Sequence, residues 1–500
     1  MRAGEQAAAP FAGCLSHGRS GFGTLQAPAN FRPATSAAML TLHTPSGTRD
    51  CAGHSRRDFL RAGTLALGGL SLPWLLEAKA RAAAAGPAYV KDAAVVVVFL
   101  GGGASHIETF NPNMDGPEQS RSVTGAVQTA LPGVSFGGTF PELGKLAKHA
   151  VIVRSFQHPI GNHEQAISHV LTGGTDANGQ AKDGHSVGAL FAKVRGANHP
   201  KTGLPTYALL SDPHKDPQYN REMQRVAVGS RGGTFGATCD PFVPNGKGPA
   251  LRNMQLAVPP ERFADRMALL RGLDDAKAHL EDGTMTAFEQ QAADLLARGA
   301  GQAFDLSKEP KAMREKYDTR GFKTGKKTFE PCALGDQLLL ARRLVESGVG
   351  FVTVQSAGWD MHADGNNPGV EKGMEMLGRP LDKALSAFLA DLHDRGLLEK
   401  TLVVLTGDFG RTPKINKSGG RDHWPGLCTL ALFGGSLKCG QVIGKSARDN
   451  GSPASNPIGP SHLMGTVMHH LFDSSAIRTA TEVPAAVANL VATEPIPGAH

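Results

Sequence analysis

The sequence predicts an α/β fold with a mostly parallel central sheet. Three observations carry that prediction. Short apolar runs rich in β-branched residues recur at 93–100, 151–153, 351–354 and 401–405. Runs of this kind are buried on both faces, as parallel strands are. Between them lie helical patterns: 334–347 reads LGDQLLLARRLVES, and in 381–395 Leu381, Ala384, Leu385, Phe388, Leu389 and Leu392 share one face. Strand and helix alternate along the chain and no internal repeat is visible, which argues one α/β domain over residues 87–500.

The elements follow in order. The run 93–100 reads as a central strand that ends in Gly101-Gly102-Gly103, the kind of turn where α/β folds place their sites. A short amphipathic helix is expected at 140–148 and a strand at 151–153. Asn162 caps a helix over 162–172 that Gly173-Gly174 stops. A further strand fits 206–210, whereas the Gly, Pro, Asp and Lys of 212–250 predict a long surface excursion. Two helices are expected within 261–300. The late segments 427–433 and 440–443 read as a strand pair around Gly434-Gly435, and 461–472 as a terminal helix.

The beginning of the chain carries a targeting pattern. Ser55-Arg56-Arg57-Asp58-Phe59-Leu60 precedes a mild apolar run broken by Gly63, Gly68, Gly69 and Pro73, and Ala78-Lys79-Ala80 offers a small-x-small cleavage site. This is the order of a twin-arginine export signal, expected over 55–86, and the run is too short for a permanent anchor. Residues 1–54 lack hydrophobic periodicity and are expected to be disordered; a start at Met39 would give a more usual leader than one at Met1. The signal predicts a periplasmic or extracellular protein, exported already folded. Residues 1–86 together hold nine Lys/Arg against four Asp/Glu, so +5 of the net charge of +7 lies there. The remainder is nearly neutral, with no basic run interleaved with aromatics, which excludes a nucleic-acid binder. Cys239, Cys332, Cys428 and Cys439 form no Cys-x-x-Cys, excluding a zinc ribbon, while Cys428 and Cys439 are candidates for a cross-strand disulfide although the register is off by two.

Four clusters carry candidate chemistry. Asp360 and His362 follow the strand at 351–354; on extended backbone an i, i+2 pair points to one side, and a carboxylate with an imidazole suits Zn²⁺ or Mn²⁺. Asp408 stands at the tip of the strand at 401–405, with His423 returning in Gly420-Arg421-Asp422-His423. A carboxylate there needs a partner, which is a cation or else Arg411 or Arg421. His158, His163 and Glu164 cluster at the helix start, where the free N–H groups favour an anion; His163 is a candidate nucleophile or acid–base group, or with Glu164 a ligand, and His169 lies on another face. His106 and Glu108 follow the glycine turn. No Gly-Lys-[Ser/Thr] makes that turn a P-loop, and no third glycine makes it a dinucleotide site.

The motifs FLGGGASHIETFNP, VRSFQHPIGNHEQAISHVLTGG, LARRLVESGVGFVTV, GWDMHADGN and TGDFGRTPKINKSGGRDHWPG, in this order behind a twin-arginine leader, resemble the exported bacterial family known as domain of unknown function 1501. That family is placed in the alkaline-phosphatase-like, or sulfatase-like, superfamily. The resemblance implies a three-layer α/β/α fold with one or two divalent cations (Zn, Mn, Ca or Mg) at the carboxyl edge of the sheet. It implies metal ligands at Asp360, His362, Asp408 and His423. In sulfatases a nucleophilic Cys or Ser stands ten residues before the Gly of Leu-Thr-Gly; here Leu171-Thr172-Gly173 is preceded at that distance by His163. No Cys-x-Pro-x-Arg occurs, Phe409 stands where a histidine is usual, and Gly101 to His106 replace the usual first-strand Asp. One cation is then lost, or supplied by His106 and Glu108, with His158 and Glu164 as further candidates.

The expectation is a metal-dependent hydrolase acting on a phosphate or sulfate ester, with His163 as nucleophile or acid–base group and Arg411 or Arg154 as anion clamp. The alternative is a non-catalytic, metal-containing protein that binds a sulfated or phosphorylated polymer or an envelope partner.

Overall fold

In the computed structural model, residues 88–176, 184–211, 217–244, 300–480 and 483–500 are described, with isolated positions between 259 and 296. The export signal, the N-terminal extension and nearly all of the expected helices at 261–300 lie outside the described residues.

A seven-stranded sheet forms the centre, in the spatial order Gln441–Ile443, Ala150–Val153, Leu430–Gly434, Thr401–Gly407, Ala94–Leu100, Phe351–Ser356 and Tyr207–Leu210. Every strand points the same way except Leu430–Gly434, which is antiparallel to both its neighbours. The segments 427–433 and 440–443 therefore do not pair with each other. Their strands lie on opposite sides of Ala150–Val153, which uses the hydrogen-bonding edges of both.

Strand alternation divides the core in two. Val96, Val98, Leu100, Val352, Val354, Val403 and Leu405 face the helices Leu334–Glu346 and Val370–Asp394. Val95, Val97, Phe99, Leu402 and Val404 face the helices His163–Leu171, Val187–Arg195 and Pro460–Leu471. The result is helix, sheet, helix: a three-layer α/β/α architecture with a mostly parallel sheet. Ten angstroms or so of packed side chains on each face is the arrangement that lets a parallel sheet bury both surfaces.

Several elements differ from expectation. The helix expected from 381 begins at Val370 and runs through Pro380, because that proline removes one internal bond while Met374, Met376, Leu377 and Leu381 continue the buried stripe. The excursion at 212–250 contains a helix, Asn220–Gly229, held by buried Met223 and Val226. The helix at 140–148 breaks into Pro141–Lys145 and a 3₁₀ turn Ala147–His149. Pro460–Leu471 is followed by helices Ser474–Thr479 and Ala485–Ala492, so it is not terminal. Cys428 and Cys439 are free thiols, as are Cys239 and Cys332; burial pushes the Cys428 thiol up to about 12. No described helix is long and apolar enough to cross a membrane.

Register sets up the functional rim. Leu100 pairs with both Ser356 and Gly407, so the three central strands end level. Gly101, Ala357 and Asp408 leave the sheet side by side.

Candidate metal centre

Asp408 is fully buried, yet its carboxylate is well provided for. The backbone N–H groups of Gly102 and Gly103 donate to Oδ1 at 3.0 Å each, and His163 Nδ1 lies 2.6 Å from Oδ2. The glycine turn makes this possible. Gly102 and Gly103 have φ of +104° and +81°, and a Cβ would come within 2.6 Å of Asp360 N or 2.8 Å of the Phe409 ring. The turn is a cradle for a carboxylate of the same chain.

His163 begins its helix because the Asn162 side chain caps it, accepting from the Glu164 N–H at 3.1 Å. The ring packs against Phe409 and His423, with centroids 4.8 and 4.4 Å away. Nδ1 must donate to the Asp408 carboxylate, so in the neutral ring Nε2 carries the lone pair. That Nε2 is buried, has no hydrogen-bond partner, and lies 3.4 Å from Asp360 Oδ2. Burial opposes a charge on this ring, but bonding to Asp360 and Asp408 and their negative charge outweigh it and raise the imidazole to about 9.

His423 repeats the arrangement. It sits in a two-residue strand paired with Gly410–Arg411, and its Nδ1 donates to the Gly161 carbonyl at 2.9 Å. Its Nε2 is also buried without a hydrogen-bond partner, 3.4 Å from Asp360 Oδ1. His362 differs. Nδ1 faces Asp422 at 3.2 Å and Nε2 faces Asp360 at 2.9 Å. Arg411 Nη1 also lies 3.4 Å from Nε2; the Asp360 carboxylate beside the ring raises its pKa, against burial. Asp360 is desolvated, but His163, His362, His423 and Arg411 hold it well below the usual carboxylate range.

One ligand atom each from His163, Asp360 and His423 lies within 4.8 Å of the others. With the proton that these carboxylates favour on His163 displaced, the two Nε2 atoms and a carboxylate oxygen would form a donor set that fits a divalent cation. Imidazole nitrogens are poor ligands for Ca²⁺ and Mg²⁺, which prefer all-oxygen shells.

Other expected residues are placed differently. Arg411 is fully buried at this cluster, but it donates to the carbonyls of Gly102, Gly103 and Arg421 and to Asp360 at 2.5 Å, so its fork is committed inside the protein. Arg154 bonds the carbonyls of Phe110 and Ser135. His106 turns away to the Asn450 carbonyl at 3.0 Å, and burial lowers it to about 4. Glu108 is buried against Arg421 at 2.9 Å and Ser122 at 2.5 Å. Glu164 is exposed and pairs with Arg225 and Arg221. These three do not join the cluster, because after the glycine turn the chain dives into the domain, and Glu164 sits on the outer side of its helix. His158 supports the cluster from behind: Nε2 donates to the Asp408 carbonyl at 2.6 Å, and burial lowers it to about 4, keeping it neutral. His169 packs beside it, ring centroids 5.6 Å apart. Sequence reasoning missed Asn367, whose amide lies 3.4 Å from Asp360 Oδ2, and Glu222, which accepts from Gly358 N–H at 2.8 Å. Asn367 lay in view, seven residues past Asp360; Glu222 lay in a segment without a visible helical signal.

No curated protein matches the chain in sequence. Among solved structures it is similar to the lipoteichoic acid synthase LtaP from Listeria monocytogenes, with TM-score 0.33, 11% identity, and coverage of 77% of this chain and 74% of that one. It is similar to the PsFucS1 sulfatase from Pseudoalteromonas sp., with TM-score 0.31, 15% identity, and coverage of 75% and 67%. It is similar to the phosphonate monoester hydrolase SpPMH from Silicibacter pomeroyi, with TM-score 0.35, 11% identity, and coverage of 81% and 76%. The family described as protein of unknown function (DUF1501) matches residues 92–478, which include the glycine turn, the strand tips and every residue of the cluster, and the chain belongs to that family.

Proposed function

We propose that this protein is an exported metal-dependent hydrolase of a phosphate or sulfate ester. The observation that carries the metal part is the convergence of His163 Nε2 and His423 Nε2, both buried and without a hydrogen bond, on the Asp360 carboxylate. These three residues would hold the cation. When bound, a divalent ion of this kind polarises an ester oxygen and lowers the pKa of water. Asp408 fixes the His163 tautomer, and the Gly161 carbonyl fixes that of His423. Arg411 and His362 hold Asp360 in place through Oδ1. The roles expected from sequence are thereby redistributed: His163 becomes a ligand, and Asp408 and His362 become the groups that orient ligands. The ester part rests on the resemblance of the motifs to the alkaline-phosphatase-like superfamily. Export rests on the twin-arginine leader.

A second reading has its own observation. Among the described residues, the side chains that bond or pair with His163, Asp360 and His423 are Asp408, Arg411, His362 and Asn367, with no Ser, Thr or Cys among them. An enzyme here would use water as nucleophile, with no covalent intermediate. A protein that binds a sulfated or phosphorylated polymer without turnover would need no nucleophile at all. Elemental analysis of the purified mature chain tests the metal. One Zn or Mn per chain, lost in Asp360→Ala and His423→Ala, is expected; unchanged metal in both variants would sink the reading. Turnover in a panel of phosphate and sulfate monoesters then separates hydrolase from binder.

A further inference from the structure

We infer that Glu222 is a positioning residue for Asp360, acting through the backbone of Gly358. This deepens the metal reading, since Asp360 is the carboxylate of the proposed set. Asp360 stands on a link, 357–360, that leaves the sheet after Ser356 and has no strand partner of its own. Its course is held at three points. Trp359 N–H donates to the Gly101 carbonyl at 3.0 Å. The buried Trp359 indole donates to Ser356 Oγ at 3.0 Å. The third is Gly358 N–H, which donates to Glu222 Oε2 at 2.8 Å across 136 residues of sequence.

The Gly358 anchor is shaped as well as bonded. Gly358 has φ of +98°, and a Cβ there would lie 2.7 Å from the Tyr219 ring. Tyr219 is buried and immediately precedes the helix Asn220–Gly229 that carries Glu222 in its first turn. Ring and carboxylate thus grip one glycine from one helix start. The grip fixes the direction in which the chain enters Asp360, two residues on. Glu222 is also within electrostatic reach of the cluster. Burial, and the charges of Asp360 and Asp408, push its carboxyl up to about 7, against the Gly358 bond and His163.

The test compares Glu222→Ala with Glu222→Gln, whose amide oxygen still accepts from Gly358. Hydrogen exchange of residues 357–361 in metal-free protein is the first readout, with exchange across the central strands as the control for folding. Glu222→Ala is expected to exchange this segment at least about tenfold faster, and Glu222→Gln to stay close to wild type. The second readout is Zn²⁺ affinity by titration: loss of a supporting partner of this kind lowers affinity by about 10–100-fold, so Glu222→Ala should fall in that range and Glu222→Gln should recover most of it. Unchanged exchange in Glu222→Ala, or equally fast exchange in both variants, overturns the positioning role. If the wild type takes up neither Zn²⁺ nor Mn²⁺, the metal reading falls, and the exchange result alone still decides whether Glu222 holds this link.

Discussion

Two buried clusters of charged side chains lie on this fold, and they are closed in different ways. On the face covered by Leu334–Glu346 and Val370–Asp394, Arg342 is completely buried and pairs with Glu309, Glu346 and Asp391 at 2.5, 2.6 and 2.8 Å. Arg343 joins Glu309, and Arg395 bridges Glu346 and Asp391 at 2.7 Å each. The Tyr317 hydroxyl donates to Asp391 at 3.0 Å. Three arginines meet three carboxylates, and every nitrogen of Arg342 faces a carboxylate oxygen at 2.5 to 2.8 Å, although Nη2 and Glu309 Oε2 meet as an ion pair without hydrogen-bond geometry. At the strand tips, the Asp360 and Asp408 carboxylates are equally well bonded, but the imidazoles around them are not. His163 and His423 each spend one nitrogen on an oxygen acceptor and leave the other 3.4 Å from Asp360 without a hydrogen bond. A buried polar atom left open carries a free-energy cost. A structural cluster removes that cost by pairing; a cluster that binds something keeps it until the ligand arrives.

The difference gives the sharpest predictions. Asp360→Ala and His423→Ala should both abolish metal uptake. Asp360→Ala, which leaves the buried Arg411 without its carboxylate, should also lower the melting temperature of the metal-free protein, whereas His423→Ala should leave it nearly unchanged. Arg342→Ala should do the reverse of His423→Ala. Removing one partner of a buried ion network typically costs about 3–5 kcal/mol, read by urea unfolding, while the folded fraction still binds metal at full stoichiometry. A variant set in which Arg342→Ala loses metal as completely as Asp360→Ala would erase the distinction between the clusters. Asp408→Asn should fall between. Its oxygen can still accept from the glycine turn, but its hold on the His163 tautomer weakens, and metal affinity should drop about 10–100-fold without loss of fold. Competition with a chelating dye reads that value.

Much of the rim was legible because the physics there is local. An apolar β-branched run that stops at an acid gives away both a strand and its tip, and Asp408 follows the run 401–405 closely. Asp360 and His423 were visible for similar reasons. What could not be read is what each polar group pairs with across hundreds of residues. Glu108 looked like a ligand beside the glycine turn; its partner Arg421 lies 313 residues on. Arg411 looked like a substrate clamp; only the fold reveals that two glycine carbonyls and Asp360 consume its donors. Glu222 was invisible because its helix is short and polar, its apolar face reduced to Met223, Val226 and Gly229. The long helix from Val370 was cut at Pro380, where the local rule for proline is outweighed by burial of the stripe on both sides.

A third buried carboxylate gives the smallest and most exact comparison. Asp382, like Asp408, accepts two backbone N–H groups, from Leu143 at 2.7 Å and Glu142 at 3.0 Å. Unlike Asp408, it has no imidazole partner. Burial raises its carboxyl to about 6; the two N–H bonds pull the other way without cancelling it. In the unfolded chain an aspartate titrates near about 3.9. Between those values the folded protein holds a proton that the unfolded chain has released. Stability contributed by this group is therefore complete below about pH 4, declines as pH rises, and levels off once the folded carboxyl has ionised above about pH 6. Asp382→Asn cannot ionise, so its melting temperature should show a flatter decline from pH 4 to 7 than the wild type, while metal content is unaffected. Identical slopes would mean that the two N–H groups at the start of Pro141–Lys145 suffice to carry the charge, and that a buried carboxylate on this fold needs no imidazole beside it.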